Sequence, residues 1–294
     1  MPNVIQDTPF TIHPHTGIGL VKLRVSDLKR SIAFYREAVG LQVLKEGSGS
    51  AELTADGERP LVLLEEIPDA VKLPRRSAAG LYHYALLVPT REALGLALRN
   101  LIRTGIHIGQ ADHLVSEALY IADPDNNGIE IYADRPRPAW SWDERGEVRM
   151  AVDPIDWDGL LDLAEGKEWT GLPEGTIIGH IHLHVSDLAR SRSFYNGVMG
   201  FDVTAHMDDS ALFLSAGGYH HHIGLNVWAG VGAALAPQAA AGLSYYTIEL
   251  PEPEALEKVI GRLEAAGLPF KREGTAVIVQ DPSGITLHLV LRAV

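Results

Sequence analysis

The segment Gly19-Leu20-Val21-Lys22-Leu23-Arg24-Val25-Ser26-Asp27-Leu28 returns as Gly179-His180-Ile181-His182-Leu183-His184-Val185-Ser186-Asp187-Leu188. Each copy leads into Arg-Ser (Arg30-Ser31, Arg190-Ser191), then Phe-Tyr (Phe34-Tyr35, Phe194-Tyr195), then Gly40 or Gly200. A repeat of this kind outranks any local reading, because it says that one supersecondary unit has been used more than once. Within the second copy, Ile181, Leu183 and Val185 alternate with three histidines. That period of two predicts a half-buried strand with His180, His182 and His184 on one face. Ser186 or Asp187 then caps a helix running from Leu188 to about Val198 and ending before Gly200.

Two weaker copies complete the pattern. After an irregular arm over residues 1–16 (Pro2, Pro9, Pro14), module one spans about Gly17 to Glu66: strand, helix, then short strands near Leu41–Leu44, Ala51–Thr54 and Leu61–Leu64. A loop with Pro68 and Pro74 leads to module two, Gly80 to Ala133. There Tyr82–Val88 reads as a strand and Leu94, Leu98, Leu101 and Ile102 take helical spacing up to Gly105. Two more strands, Glu117–Ile121 and Gly128–Tyr132, flank the turn Asp123-Pro124-Asp125-Asn126-Asn127-Gly128. A long connector, 134–176, carries four of the five tryptophans and a short helix around Asp156–Leu163. Module three spans about Ile177 to Trp228. Module four spans about Gly242 to Leu291, with a helix over Glu252–Ala266 and the turn Asp281-Pro282-Ser283-Gly284.

Composition narrows the chemistry. A net charge of −13 argues against a nucleic-acid surface and against an anionic membrane. With no cysteine, disulfides, thiolate nucleophiles and thiolate metal sites are excluded, so any metal must use His, Asp or Glu. No apolar run approaches a membrane span, and Met1–Phe10 carry no signal-peptide pattern, which predicts a cytoplasmic protein.

Four βαβββ modules in series, with the Val-Ser-Asp-Leu / Arg-Ser / Phe-Tyr / Gly phrase and the Asp-Pro-Asp…Glu turn, resemble the vicinal oxygen chelate superfamily. Its members are glyoxalases, extradiol ring-cleaving dioxygenases and bleomycin-resistance proteins. The resemblance covers nearly the whole chain after residue 17. It implies an α+β fold in which pairs of modules form cupped, open β-barrels with a metal inside. The chain would then divide into a first pair of modules (17–133), a linker (134–176) and a second pair (177–291).

In that family the metal ligands lie on the first and last strands of a module. Counting back seven positions from the residue that opens each helix gives Leu20, His83, His180 and Tyr245. The last strands offer Glu130 in module two, Asn226 in module three, His288 in module four and Glu65 in module one. Only His83, Glu130 and His180 form a complete set. Two histidines and one carboxylate are the facial triad of non-haem Fe(II) oxygenases, with open positions for substrate and oxygen. The resemblance therefore implies that modules two and three pair around the metal, while one and four form a second barrel without it. Taken singly, each residue has a blander reading, a satisfied strand histidine or a strand-edge carboxylate; the coincidence of three family positions favours the site.

The position facing Glu130 aligns with Asn226, and the lack of a second carboxylate there favours a dioxygenase over a glyoxalase-type isomerase. By the same resemblance Tyr120 and His113 are hydrogen-bonding residues toward the bound oxygens. His221 is the acid–base catalyst, with a pKa near neutrality and with His222 one register away. Tyr84 and Trp228 are candidate walls. The expected reaction is extradiol cleavage of catechol, or of a substituted catechol or hydroquinone, by O2 with Fe(II), Mn(II) being the other metal suited to the site. A glyoxalase-like isomerase or lyase and a non-catalytic ligand-binding protein are the alternatives. The partners are thus a small aromatic diol and O2, with no nucleic acid and no membrane, and a homo-oligomer left open.

Overall fold

A computed structural model describes residues 10–293. Residues 1–9 of the expected arm lie outside that range. Module one comprises β1 (Gly17–Val25), α1 (Leu28–Phe34), β2 (Gln42–Gly47), β3 (Ser50–Thr54) and β4 (Pro60–Glu66). Module two comprises β5 (Gly80–Leu87), α2 (Arg91–Thr104), β6 (Gly109–Asp112), β7 (Ser116–Ala122) and β8 (Gly128–Asp134). The connector carries α3 (Trp157–Ala164). Module three comprises β9 (Ile177–His184), α4 (Leu188–Arg192), β10 (Asp202–Met207), β11 (Ala211–Ser215) and β12 (Ile223–Asn226). Module four comprises β13 (Gly242–Leu250), α5 (Pro253–Ala265), β14 (Phe270–Glu273), β15 (Ala276–Gln280) and β16 (Thr286–Leu291).

The aspartates of the repeated phrase, not the serines, cap the helices. Asp27 accepts from Arg30 N at 2.9 Å and Asp187 from Arg190 N at 2.9 Å. The helix expected over Leu188–Val198 keeps α geometry for only five residues and widens into a π turn over Ser193–Val198. The corresponding turn in module one is Tyr35–Val39. Periodicity does not distinguish 3.6 from a wider turn over so short a span.

The strands form two eight-stranded sheets, β14-β15-β16-β13-β1-β4-β3-β2 and β10-β11-β12-β9-β5-β8-β7-β6. Each sheet joins one module from either half of the chain: β1 pairs antiparallel with β13, and β5 antiparallel with β9. The two sheets share one apolar core that includes Val21 and Leu23 of β1, Tyr84 and Leu86 of β5, Ile181 and Leu183 of β9, and Tyr246 and Ile248 of β13. The architecture is α+β, with few helices beside two large sheets.

Side chains from the repeated phrases tie modules that do not share a sheet. The Tyr35 hydroxyl donates to Asp123 at 3.2 Å, and the Tyr195 hydroxyl to Asp281 at 3.1 Å. Ser26 N donates to Asp125 at 2.9 Å, and Ser186 N to Ser283 Oγ at 3.0 Å. Modules one and two are thus bonded through these contacts, as are three and four, while the sheets pair one with four and two with three.

Candidate metal centre

On β9 the period of two places His180, His182 and His184 together, all three buried, on the face opposite Ile181 and Leu183. On β5 the strand shifts register against β9 between Leu81 and His83. The irregularity lets Tyr82 and His83, neighbours in sequence, both line one cavity, while Tyr84 turns into the core, fully buried. Tyr84 is therefore not a cavity wall; Tyr82 is. Trp228 does line the cavity.

His83 and His180 approach one carboxylate from two modules. Each Nε2 lies 3.0 Å from Glu130 Oε2, and the three donor atoms lie within 4.8 Å of one another. The residues are 6%, 2% and 2% exposed for His83, Glu130 and His180. Ligands at right angles on bonds of about 2.1 Å stand about 3.0 Å apart, the separation of Glu130 from each histidine, so this donor set fits a divalent ion. Burial pushes the Glu130 carboxyl up, but the charges and hydrogen bonds of His180 and His83 outweigh it and hold the group well below the usual carboxylate range. Burial lowers His83 against the pull of Glu130. A deprotonated carboxylate and a neutral imidazole are the forms that bind metal.

The counterpart of Glu130 in module three is not Asn226. Ala85, two residues after His83, pairs with Glu130; His182, two residues after His180, pairs with Gly224. A Cβ at Gly224 would stand 2.8 Å from the His182 ring, so a side chain there would have to displace His182. Asn226 lies two residues further along the same face, where its Oδ1 accepts from His184 Nδ1 at 2.6 Å. A shift of two keeps a residue on its face and moves it by a full pleat, which is why sequence alignment did not separate the two positions.

The cavity beside the triad measures about 500 Å³ and is lined by His83, Glu130, Tyr120, His113, His182 and His221, with apolar Met150, Val152, Met207, Phe213 and Trp228. Three of its lining residues, Met150, Ala151 and Val152, come from the connector, which therefore builds a wall besides joining two modules.

Hydrogen bonds assign the tautomers of two histidines. His113 Nδ1 lies 2.6 Å from the Ala151 carbonyl, which can only accept, so Nδ1 carries the proton. Nε2 of a neutral ring then accepts from the Tyr120 hydroxyl at 2.6 Å. Tyr120 thus donates to His113 and presents its oxygen to the cavity as an acceptor. Burial, with Glu130 nearby, drives the Tyr120 hydroxyl well above its ordinary pKa and keeps its proton on.

A second chain runs from Asp134 to His221. His220 Nε2 lies 2.9 Å from Asp134 Oδ1, and His220 Nδ1 lies 2.8 Å from His221 Nδ1. A proton on His220 Nε2 leaves its Nδ1 as acceptor, so His221 donates from Nδ1 and offers Nε2 as a base. His221 packs on His180 with ring centroids 4.1 Å apart. Burial, reinforced by His180, His220 and His182, pushes His221 well below the ordinary histidine range instead of near neutrality. His222 is not among the cavity-lining residues. Its Nδ1 accepts from Ala216 N at 3.1 Å, and burial pushes it down to about 3. Asp134, His220 and Tyr82 were not singled out in the sequence; alternation along β8 from Glu130 through Tyr132 reaches Asp134, while Tyr82 enters by the irregular register of β5 and His220 lies between strands.

Residues 17–131 and 177–289 match the model of the Glyoxalase/Bleomycin resistance protein/Dioxygenase superfamily. The chain belongs to that superfamily. A superfamily member from Bacillus subtilis (strain 168), named catechol-2,3-dioxygenase, is 52% identical over 283 residues, covering 96% of this chain and 99% of that protein. The fold is shared with a putative dioxygenase from the same organism (TM-score 0.64, 13% identity, 97% of this chain and 86% of that one). It is shared also with glyoxalase I from Zea mays (TM-score 0.56, 16% identity, 94% of this chain and 92% of that one). No described helix is long and apolar enough to cross a membrane.

Proposed function

We propose that the protein is an extradiol dioxygenase that uses Fe(II) and O2 to open catechol, or a substituted catechol or hydroquinone, beside the diol. The observation that carries this reading is the meeting of His83, Glu130 and His180 in one cluster beside a cavity that His221 and Tyr120 line. The relative named catechol-2,3-dioxygenase, 52% identical over nearly the whole chain, supports it. Fe(II) held by the triad would supply open positions for a diol and oxygen and would acidify the diol hydroxyls; Mn(II) suits the same donors.

The residues around the triad then handle protons and orientation. Tyr120, its own proton held by His113, accepts a hydrogen bond from one catechol hydroxyl. His221 Nε2 takes a proton from the diol and returns it as the ring opens. Its depressed pKa makes it a weak base and a ready donor. His182 Nε2 has no partner among the described residues and sits on the same cavity wall, where it can donate to or accept from a substrate oxygen. Phe213, Met150, Val152, Met207 and Trp228 hold an aromatic ring and exclude water. A glyoxalase-type isomerase would want a carboxylate opposite Glu130, where Gly224 stands.

The test is anaerobic loading with Fe(II), then air and catechol. Oxygen uptake with a yellow ring-fission product is expected. Turnover of methylglyoxal plus thiol, with no oxygen uptake on any catechol, would replace this reading with the isomerase.

A further inference from the structure

Apart from histidines, the charged residues lining the cavity are Glu130 and Arg76. Arg76 comes from the loop joining modules one and two and sits at a left-handed φ of 58°, uncommon for a side-chain-bearing residue. Its guanidinium carbon lies 5.7 Å from the Tyr82 ring centroid and 5.6 Å from that of Trp228, two rings of the cavity wall. Stacking on aromatic faces holds a guanidinium in place and leaves its edge N–H groups to bind. Among the described residues the arginine ion pairs belong to Arg30, Arg91, Arg135, Arg272 and Arg292, not to Arg76. In a chain with 38 acidic against 25 basic side chains, a cation on a cavity wall without a carboxylate beside it is notable. The cavity, about 500 Å³, also has room beyond a bare six-membered ring.

We infer that Arg76 binds an acidic ring substituent, so that the preferred substrate is a catechol carrying a carboxylate. The inference rests on the dioxygenase reading for the diol and on Arg76 alone for the acid. Arg76 is a specificity residue here, remote from the proton transfers.

The experiment compares 3,4-dihydroxybenzoate with 4-methylcatechol, in which a methyl replaces the carboxylate. Binding is measured by calorimetry on the Zn(II)-loaded enzyme, and kcat/KM by oxygen uptake on the Fe(II)-loaded enzyme. The wild type should bind the acid about tenfold more tightly than the methyl compound, the size of one partly exposed charge-assisted contact, and salt should erode that preference. Arg76→Gln should weaken the acid about tenfold and leave the methyl compound unchanged, while Arg76→Lys keeps most of the preference. A wild type that favours the methyl compound overturns the inference. So does an Arg76→Gln variant that weakens both compounds alike, since Arg76 would then only cover Trp228. Ring cleavage without acid preference sinks this inference and leaves the dioxygenase standing. Acid preference on the Zn(II) enzyme that Arg76→Gln removes, with neither ring cleaved by the Fe(II) enzyme, does the reverse.

Discussion

His221 and His222 are adjacent in the chain and have different surroundings. His221 lies on the cavity with His180 against one side and a hydrogen bond to His220; His222 accepts from the backbone at Ala216. If the proton work belongs to His221, His221→Phe should retain bound iron and lose turnover by roughly 10²–10⁴, the usual contribution of general acid–base catalysis. His222→Phe should stay close to wild type in turnover. Metal content and kcat on the same preparations decide the matter, and the opposite pattern would move the role to His222. The sequence narrowed the choice to His221 and its neighbour His222. It could not separate them because the chain leaves regular alternation after Ser215, at Gly217 and Gly218, both of which have positive φ. The same limit applies at Tyr82, where an irregular register brings a residue of the wrong parity into the cavity.

The phrases that announce the modules also bond them. Tyr195, under the π turn after α4, donates to Asp281 in the turn before β16. Burial raises the Asp281 carboxyl to about 6, against the opposing donations from Ile285 N, Ser283 N and the Tyr195 hydroxyl. A raised acid pKa means that the folded state keeps this proton where the unfolded chain has released it. The group's contribution to stability is therefore largest below about pH 4 and declines as pH rises toward about 6, by on the order of 3 kcal/mol. In urea unfolding of the metal-free protein, the stability difference between wild type and Asp281→Asn should shrink across that window in the wild type's disfavour and be level above it. A difference that does not change with pH would show that the proton is not held there. The turn itself was readable from Asp-Pro-Ser-Gly; its partner, from another module, was not.

In the whole molecule, the residues that could hold a metal come from both halves of the chain, because β5 lies beside β9 in one sheet. Replacing His180 by Ala should therefore lower metal affinity by more than the 10–100-fold typical of an outer hydrogen-bond partner, although Glu130 and His83 remain. The apolar core that joins the two sheets should keep the variant folded, with an unchanged circular dichroism spectrum beside an iron content near zero. Full iron in His180→Ala would remove it from the ligand set.

The α+β class and the module count follow from local pattern: strand alternation, Asp-capped helices and repeated turns are short-range, and each is written out in the chain. The superfamily is legible because those phrases recur at equivalent places. Other features depend on contacts between residues distant in sequence. The tautomers of His113 and His221 are set by Ala151 and by Asp134 through His220, the first of these partners lying on the connector. The counterpart of Glu130 is Gly224 and not Asn226 because strand register is a pairing between chains of residues, and a shift of two leaves the alternation of each strand unchanged. Arg76 reaches Tyr82 and Trp228 only through the path of a loop with no periodicity to read. Sequence pattern reports which face a residue occupies; packing decides what stands opposite.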